Sequence, residues 1–293
     1  MHIATSLIIL LFWVDLGHAT ISLLEPNCGV SLAGSRVSTR IIHGEVAEIH
    51  RNPWMVHIDS ETTACGGSLI TSRFVLTAAH CQSRGRTVAY LGEFNILTRR
   101  DCTRQGCIPN AIGIPVDAQI PHPRNVNLNN DIALFRLARR VQYTDYIKPI
   151  CLPTNYNPLS QIRHFTAVGW GETERGINSN VLKTTTLTQV DRSYCSALYG
   201  RIDMSQICAG DRSNHVCRGD SGSPISAVIK INGVNRVVQA GLVSYGDYAC
   251  RQFSVFSNVM FHMNWIVDVV RRDGSRTNGN SNRIPNNNRR RQG

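Results

Sequence analysis

The sequence predicts an all-β sandwich or barrel with one helix near its end. Two observations carry this. From Ile41 to about Trp265, short apolar runs alternate with Gly, Pro and Asn, the residues that punctuate tight turns. Later, Met260, Met263, Ile266, Val267 and Val270 recur at three- and four-residue spacing, which lines up one face of a helix. With 42% hydrophobic and 17% charged residues the composition is that of a folded globule, and 293 residues suffice for one large domain or two small packed ones.

Taken in chain order, the first element is a run from Ile3 to Val14 that contains Leu7-Ile8-Ile9-Leu10-Leu11-Phe12-Trp13. Asp15 ends it, and Gly17-His18-Ala19 offers the small residues that a signal peptidase reads. The run is too short for an ordinary membrane span. It reads as a signal peptide over residues 1–19, which makes the protein secreted and extracellular; an uncleaved signal anchor is the alternative. No other segment is long and apolar enough to cross a bilayer. Residues 20–40 form a short pro-segment with one cysteine, Cys28.

Candidate strands follow in Gly67-Ser68-Leu69-Ile70, Arg73-Phe74-Val75-Leu76-Thr77, Ile132-Ala133-Leu134-Phe135, Thr166-Ala167-Val168-Gly169, Val237-Val238-Gln239-Ala240 and Gly241-Leu242-Val243. Beyond Arg272 almost nothing is apolar, so residues 273–293 are expected to be a disordered basic tail. Residues 271–293 hold seven arginines against one acid, Asp273, about half of the chain's formal excess of +11. Such a cluster suits polyanions, and a solvated tail without a ligand is the plainer reading.

The exported chain keeps ten cysteines: Cys28, Cys65, Cys81, Cys102, Cys107, Cys151, Cys195, Cys208, Cys217 and Cys250. An even count in an oxidising compartment reads as a disulfide framework. A metal site would want Cys-x-x-Cys or clustered Cys/His spacing, and no such pair occurs, so no metal and no cofactor are expected.

Peptide hydrolysis by a hydroxyl needs a serine activated by a base and a carboxylate that orients the base. It also needs N–H donors for the oxyanion and a pocket for the substrate. Ser221 sits in Gly219-Asp220-Ser221-Gly222-Ser223-Pro224, where glycines let the backbone turn tightly and approach a substrate carbonyl. The amides of Gly219 and Ser221 are the candidate oxyanion donors. Alone, this run is also good turn chemistry. His80 ends Leu76-Thr77-Ala78-Ala79-His80-Cys81 and alone reads equally as a structural histidine beside a disulfide. Asp131, in Asn129-Asn130-Asp131-Ile132-Ala133-Leu134, alone reads as a turn aspartate. Together, in the order His, Asp, Ser, they make a catalytic set.

These segments, with Cys65-Gly66-Gly67-Ser68-Leu69-Ile70 and Gly169-Trp170-Gly171, resemble the chymotrypsin-type (trypsin-like) family from about Ile41 to Val270. That family shares the chain order His–Asp–Ser. The resemblance implies two six-stranded antiparallel barrels and a C-terminal helix, with the site in the cleft between the barrels. It implies His80 as general base and acid, Asp131 as the group that orients it, and Ser221 as nucleophile.

Arg40-Ile41-Ile42-His43-Gly44 resembles the family's activation site. A zymogen is therefore expected, with a serine protease domain over 41–272 switched on when a trypsin-like protease cuts after Arg40. The new ammonium of Ile41 would pair with Asp220, and this pairing of a buried carboxylate would order the pocket and present the Gly219 N–H. The resemblance further implies disulfides Cys65–Cys81, Cys195–Cys208, Cys217–Cys250 and Cys28–Cys151, the last tethering the pro-segment. Cys102–Cys107 would then close a small loop, a feature similar to the catalytic domains of insect clip-type proteases. Residues 20–40 hold one cysteine, so no clip domain is present there.

The specificity pocket departs from trypsin. The residue six before the nucleophile lies at the pocket base in this family, and aspartate there selects Arg or Lys. Here it is His215, followed by Val216; Gly246 keeps an open wall and Ser254 replaces a second glycine. Nothing in this set neutralises a basic side chain, so cleavage after neutral or acidic residues is expected. Gly92-Glu93-Phe94-Asn95-Ile96 resembles the start of the family's calcium loop, but Asp101 is the only acid after it, too little negative charge for calcium.

Expected partners are protein substrates, the activating trypsin-like protease, serpin-type inhibitors and polyanions on the tail, with no specific nucleic acid. The competing class is a protease-derived binding or regulatory protein that acts through its basic surface and has no need of His80, Asp131 and Ser221 as a set.

Overall fold

Some strands of the barrels alternate in burial, while others, such as Phe74–Thr77 and Gln206–Gly210, are buried throughout. In Thr87–Leu91 the first, third and fifth residues are buried and the two between are half-buried, the period-two pattern of a strand with one face on a core. The structure is a computed structural model that describes residues 21–32, 44–155, 157–173, 176–210 and 215–280.

The first barrel runs Met55–Ser60, Ala64–Leu69, Phe74–Thr77, Ala133–Leu137, Ile112–Pro121 and Thr87–Leu91, all antiparallel. Thr87–Leu91 pairs back on Met55–Ser60. The second runs Lys183–Gln189, His164–Gly169, Pro224–Ile231, Val234–Tyr245, Ser254–Asn258 and Gln206–Gly210, and the last strand returns to the first. Closure leaves neither barrel with a free edge except where Glu45–Val46 adds to Lys183–Gln189. These are the two six-stranded barrels that the resemblance implies.

Several boundaries differ from the sequence expectation. Val237–Ala240 and Gly241–Val243 are one continuous strand, Val234–Tyr245. Gly241 does not break it, because a Cβ there would lie 2.9 Å from the Ser257 carbonyl oxygen of the neighbouring strand, so the glycine permits close pairing. A short helix, Arg192–Tyr199, was not anticipated. Only Cys195 in it is buried, so it carries no apolar stripe. Its ends define it instead: the Asp191 carboxylate accepts the Ser193 N–H at 2.9 Å, and Gly200 stops it at φ +85°.

The C-terminal helix spans Met263–Asn280 after a 3-10 turn at Met260–His262. Met263 and Ile266 join the hydrophobic cluster that fills the first barrel, so the helix ties the end of the chain to that barrel. The helix runs past Arg272, where the sequence expectation placed the end of the domain, and continues through residue 280. Asp273 is buried and accepts from Arg136 Nη1 at 3.0 Å, while Arg136 Nε donates to Asp117 at 2.6 Å. Composition hides such an anchor, since a single acid among arginines looks solvated. Residues 281–293, with most of the tail's arginines, lie outside the described residues, as do the expected signal peptide, 1–19, and the expected activation site, Arg40-Ile41.

Five disulfides are present: Cys28–Cys151, Cys65–Cys81, Cys102–Cys107, Cys195–Cys208 and Cys217–Cys250. Cys102 and Cys107 face each other across a two-stranded hairpin, Asp101–Thr103 with Gly106–Ile108. Around Cys28, residues 21–32 are bound to the second half of the chain. Gly29 N–H donates to Pro149 O at 2.8 Å, and Val237 N–H donates to Gly29 O at 2.9 Å. Among the described residues no helix is long and apolar enough to cross a membrane.

Candidate active site

Asp131 is held in place by residues from both barrels. It follows a turn in which Asn127, Leu128 and Asn130 all take positive φ, and it is fully buried. A buried carboxylate must be saturated with donors. Its Oδ1 accepts the backbone N–H of His80 at 2.9 Å, and its Oδ2 accepts His80 Nδ1 at 2.7 Å and the Ser244 hydroxyl at 2.5 Å. Ser257 Oγ donates to the Asp131 carbonyl at 2.6 Å. His80 lies in a 3-10 turn, Ala79–Cys81, at the end of the strand Phe74–Thr77, with its turn locked by Cys65–Cys81. Because Nδ1 faces a carboxylate it carries the proton, and Nε2 presents a lone pair to the cleft.

Ser221 comes from the second barrel but docks on the first. Gly66 N–H donates to the Ser221 carbonyl at 2.8 Å. A Cβ on Gly222 would lie 2.1 Å from Thr77 Oγ1 and 3.0 Å from the Ala78 nitrogen, so only glycine lets this loop press against the strand that leads into His80. The structure thus brings the Ser221 loop, His80 and Asp131 together. Among the described residues no hydrogen bond joins Ser221 Oγ to His80, and the N–H groups of Gly219 and Ser221 are not used in bracing the loop.

Asp220 explains Gly169-Trp170-Gly171. A Cβ on Gly169 would come within 2.1 Å of the Asp220 carboxylate and one on Gly171 within 2.3 Å, so the carboxylate nests where those side chains would be. Gly171 N–H donates to Oδ1 at 2.8 Å and Cys217 N–H to Oδ2 at 3.0 Å. No cation reaches it among the described residues. Burial pushes the Asp220 carboxyl up to about 6 even though the two N–H donors pull it down.

The pocket residues are only partly assembled. His215 lines a cavity of about 670 Å³ with Val216, Cys217, Asp220 and Tyr248. Its Nδ1 is buried without a hydrogen-bond partner. Gly246 and Ser254 do not line that cavity; they abut each other, a Cβ on Gly246 falling 2.7 Å from Ser254 Oγ. Asp247 is spent on its own turn, accepting Arg251 N–H at 3.2 Å. Arg218, at the rim, pairs with Glu172 through both guanidinium edges.

In the loop similar to a calcium site, the Asp101 carboxylate accepts Asn95 N–H at 3.1 Å and the Thr98 hydroxyl, and Glu93 accepts Phe94 N–H at 3.0 Å. The cluster Cys65, His80 and Cys81 offers no thiolate, because the two cysteines are bonded to each other.

Sequence reasoning missed Ser244, Ser257 and Glu172. Ser244 stands two residues before Gly246, a position that the spacing of the pocket wall could have flagged. Ser257 and Glu172 left no signal, since each acts through a partner far along the chain.

The profile of the family described as Trypsin matches residues 41–266. Melanization protease 1 of Drosophila melanogaster is 36% identical over 279 residues, which covers 85% of this chain and 68% of that protein. Serine protease grass of Drosophila melanogaster is 33% identical over 265 residues, covering 82% and 70% respectively. The crystal structure of the Drosophila Grass clip serine protease of the Toll pathway superposes with a TM-score of 0.71 at 33% identity, over 83% of this chain and 74% of that one.

Proposed function

Since the chain belongs to the trypsin family of serine proteases, we propose that it is a secreted serine endopeptidase, made as a zymogen and activated by cleavage after Arg40. The single observation behind this reading is the hold on Asp131. Four hydrogen bonds, two of them from His80, leave His80 Nε2 as an available base beside the Ser221 loop.

In the proposed reaction Nε2 takes the Ser221 proton as Oγ attacks the substrate carbonyl. The imidazolium is stabilised by Asp131, and the oxyanion is met by the Gly219 and Ser221 N–H groups. His80 then returns the proton to the leaving amine, and water repeats the cycle on the acyl-enzyme. Activation acts on Asp220. Buried with two N–H donors and, among the described residues, no counter-charge, it is a ready partner for the ammonium that cutting after Arg40 would create on Ile41.

Primary specificity is proposed not to be for Arg or Lys. His215 offers no carboxylate, Asp247 accepts a hydrogen bond within its own turn, and of the carboxylates that line the cavity with His215, Glu172 is forked to Arg218 and Asp220 is buried on two N–H donors. Protein substrates, a trypsin-like activating protease and serpin-type inhibitors are the proposed partners, with polyanions on the basic tail.

The test is labelling of Ser221 by a fluorophosphonate after cleavage at Arg40. Stoichiometric labelling that is lost in Ser221→Ala supports an enzyme. A fully cleaved, folded chain that takes up no label is a protease-derived binding protein instead.

A further inference from the structure

Glu172 holds Arg218 twice. Its backbone N–H donates to the Arg218 carbonyl at 2.7 Å. Its carboxylate takes the Arg218 guanidinium in a fork, Nε to Oε2 at 2.7 Å and Nη2 to Oε1 at 2.9 Å. The Tyr248 ring, which also lines the cavity, has its centroid 4.7 Å from the same guanidinium. The Glu172 side chain is 14% exposed and that of Arg218 is 53% exposed. At that exposure water screens the charge pair, and it adds little to stability. Its consequence is directional, because a bidentate fork fixes orientation as well as distance.

The residue after Arg218 is Gly219. The Arg218 carbonyl and the Gly219 N–H belong to one peptide plane, and no cis peptide occurs in the described chain. In a trans peptide the carbonyl and the following N–H point in opposite directions. With the carbonyl tied to Glu172, the Gly219 N–H faces away from that loop, and no described group takes it up. Gly219 has φ +91°, a backbone setting from which a glycine peptide rotates at little cost. An untethered peptide here would turn its carbonyl, instead of its N–H, toward the Ser221 side.

We infer that Glu172 and Arg218 are positioning residues for the oxyanion donor: the double hold on Arg218 sets the direction of the Gly219 N–H. The inference rests on the endopeptidase reading of Ser221. It goes further by giving the ion pair at the cavity rim a part in transition-state stabilisation.

The experiment uses the full chain cleaved at Arg40, with active sites counted by fluorophosphonate. Wild type is compared with Glu172→Ala, with Arg218→Gln and with the charge-reversed double variant Glu172→Arg/Arg218→Glu. Removing an oxyanion donor outright costs roughly 10²–10³ in kcat, so loosening one is expected to cost about tenfold in either single variant. KM should change by less than about twofold, because the oxyanion exists only past the ground state. The charge-reversed pair should recover most of the loss.

A spectroscopic readout separates positioning from folding. In the adduct of a 13C-carbonyl peptidyl chloromethyl ketone ending in Phe, the ionisation of the hemiketal hydroxyl should move to higher pH in both single variants and return in the double. Single variants with wild-type kcat, a loss confined to KM, or a hemiketal ionisation that stays put would each overturn the inference. If cleaved wild type takes no fluorophosphonate, the endopeptidase reading falls and this inference with it. If wild type labels and the variants behave as wild type, this inference alone falls.

Discussion

Raising the pH across the uncut chain should cost it stability through one side chain, Asp220. Its carboxyl sits at about 6 in the folded protein against 3.8 for an ordinary aspartate. The folded state therefore holds this proton more tightly than the unfolded state does. The penalty is absent below about pH 4, where both states are protonated, grows as pH rises, and is complete above about pH 6. Holding the carboxyl at about 6 instead of 3.8 corresponds to about 3 kcal/mol at neutral pH, and burial of the carboxylate is the cause, partly offset by the Cys217 and Gly171 N–H donors.

The measurement is urea unfolding of the Arg40→Gln chain, with and without Asp220→Asn, followed by tryptophan fluorescence over about pH 4 to 7. The difference between the two chains cancels every other titrating group. The chain with Asp220 should lose about 3 kcal/mol relative to the one with Asn over this range. In a chain that keeps Arg40 and has been cleaved after it, the Ile41 ammonium should pair with Asp220, and the same comparison should show no relative loss. A difference that is flat with pH in the uncut chain, or one that favours the chain with Asp220 as pH rises, would refute the reasoning.

Further outcomes are expected. Ser221→Ala should lower turnover by roughly 10⁴-fold or more, since triad members act as a unit; peptidase activity within tenfold of wild type would defeat the assignment. Arg40→Gln should leave an inert chain, whereas N-terminal sequencing of active enzyme should begin Ile-Ile-His-Gly. His215→Asp should raise kcat/KM toward Arg substrates by supplying the missing carboxylate, and a hundredfold preference of the wild-type enzyme for Arg over Leu, Phe and Glu would contradict the pocket reading. A chain ending at Asn280 keeps the Asp273 anchor yet loses the four arginines beyond it, so it should bind heparin more weakly at low salt than the full chain does; equal binding would dismiss a role for the tail.

The features legible in the sequence are those written in neighbouring residues. The β character of the strands is visible because side chains alternate locally, and the glycines around Ser221 declare a tight turn whatever surrounds them. The family resemblance rests on contiguous runs such as Gly219-Asp220-Ser221-Gly222, and it carried His80 and Asp131 with it. Whatever depends on distant segments meeting is visible only in the folded chain. Ser244 and Ser257 reach Asp131 across more than a hundred residues, and Arg136 turns Asp273 from a tail residue into an anchored one. Gly169 and Gly171 are glycines because Asp220 lies where their side chains would be. Gly246 and Ser254 abut each other and stand apart from the cavity that His215 lines. Spacing along a chain fixes which side chains share a face, whereas a hydrogen bond needs two atoms within about 3 Å, and only the closed barrels bring such atoms together.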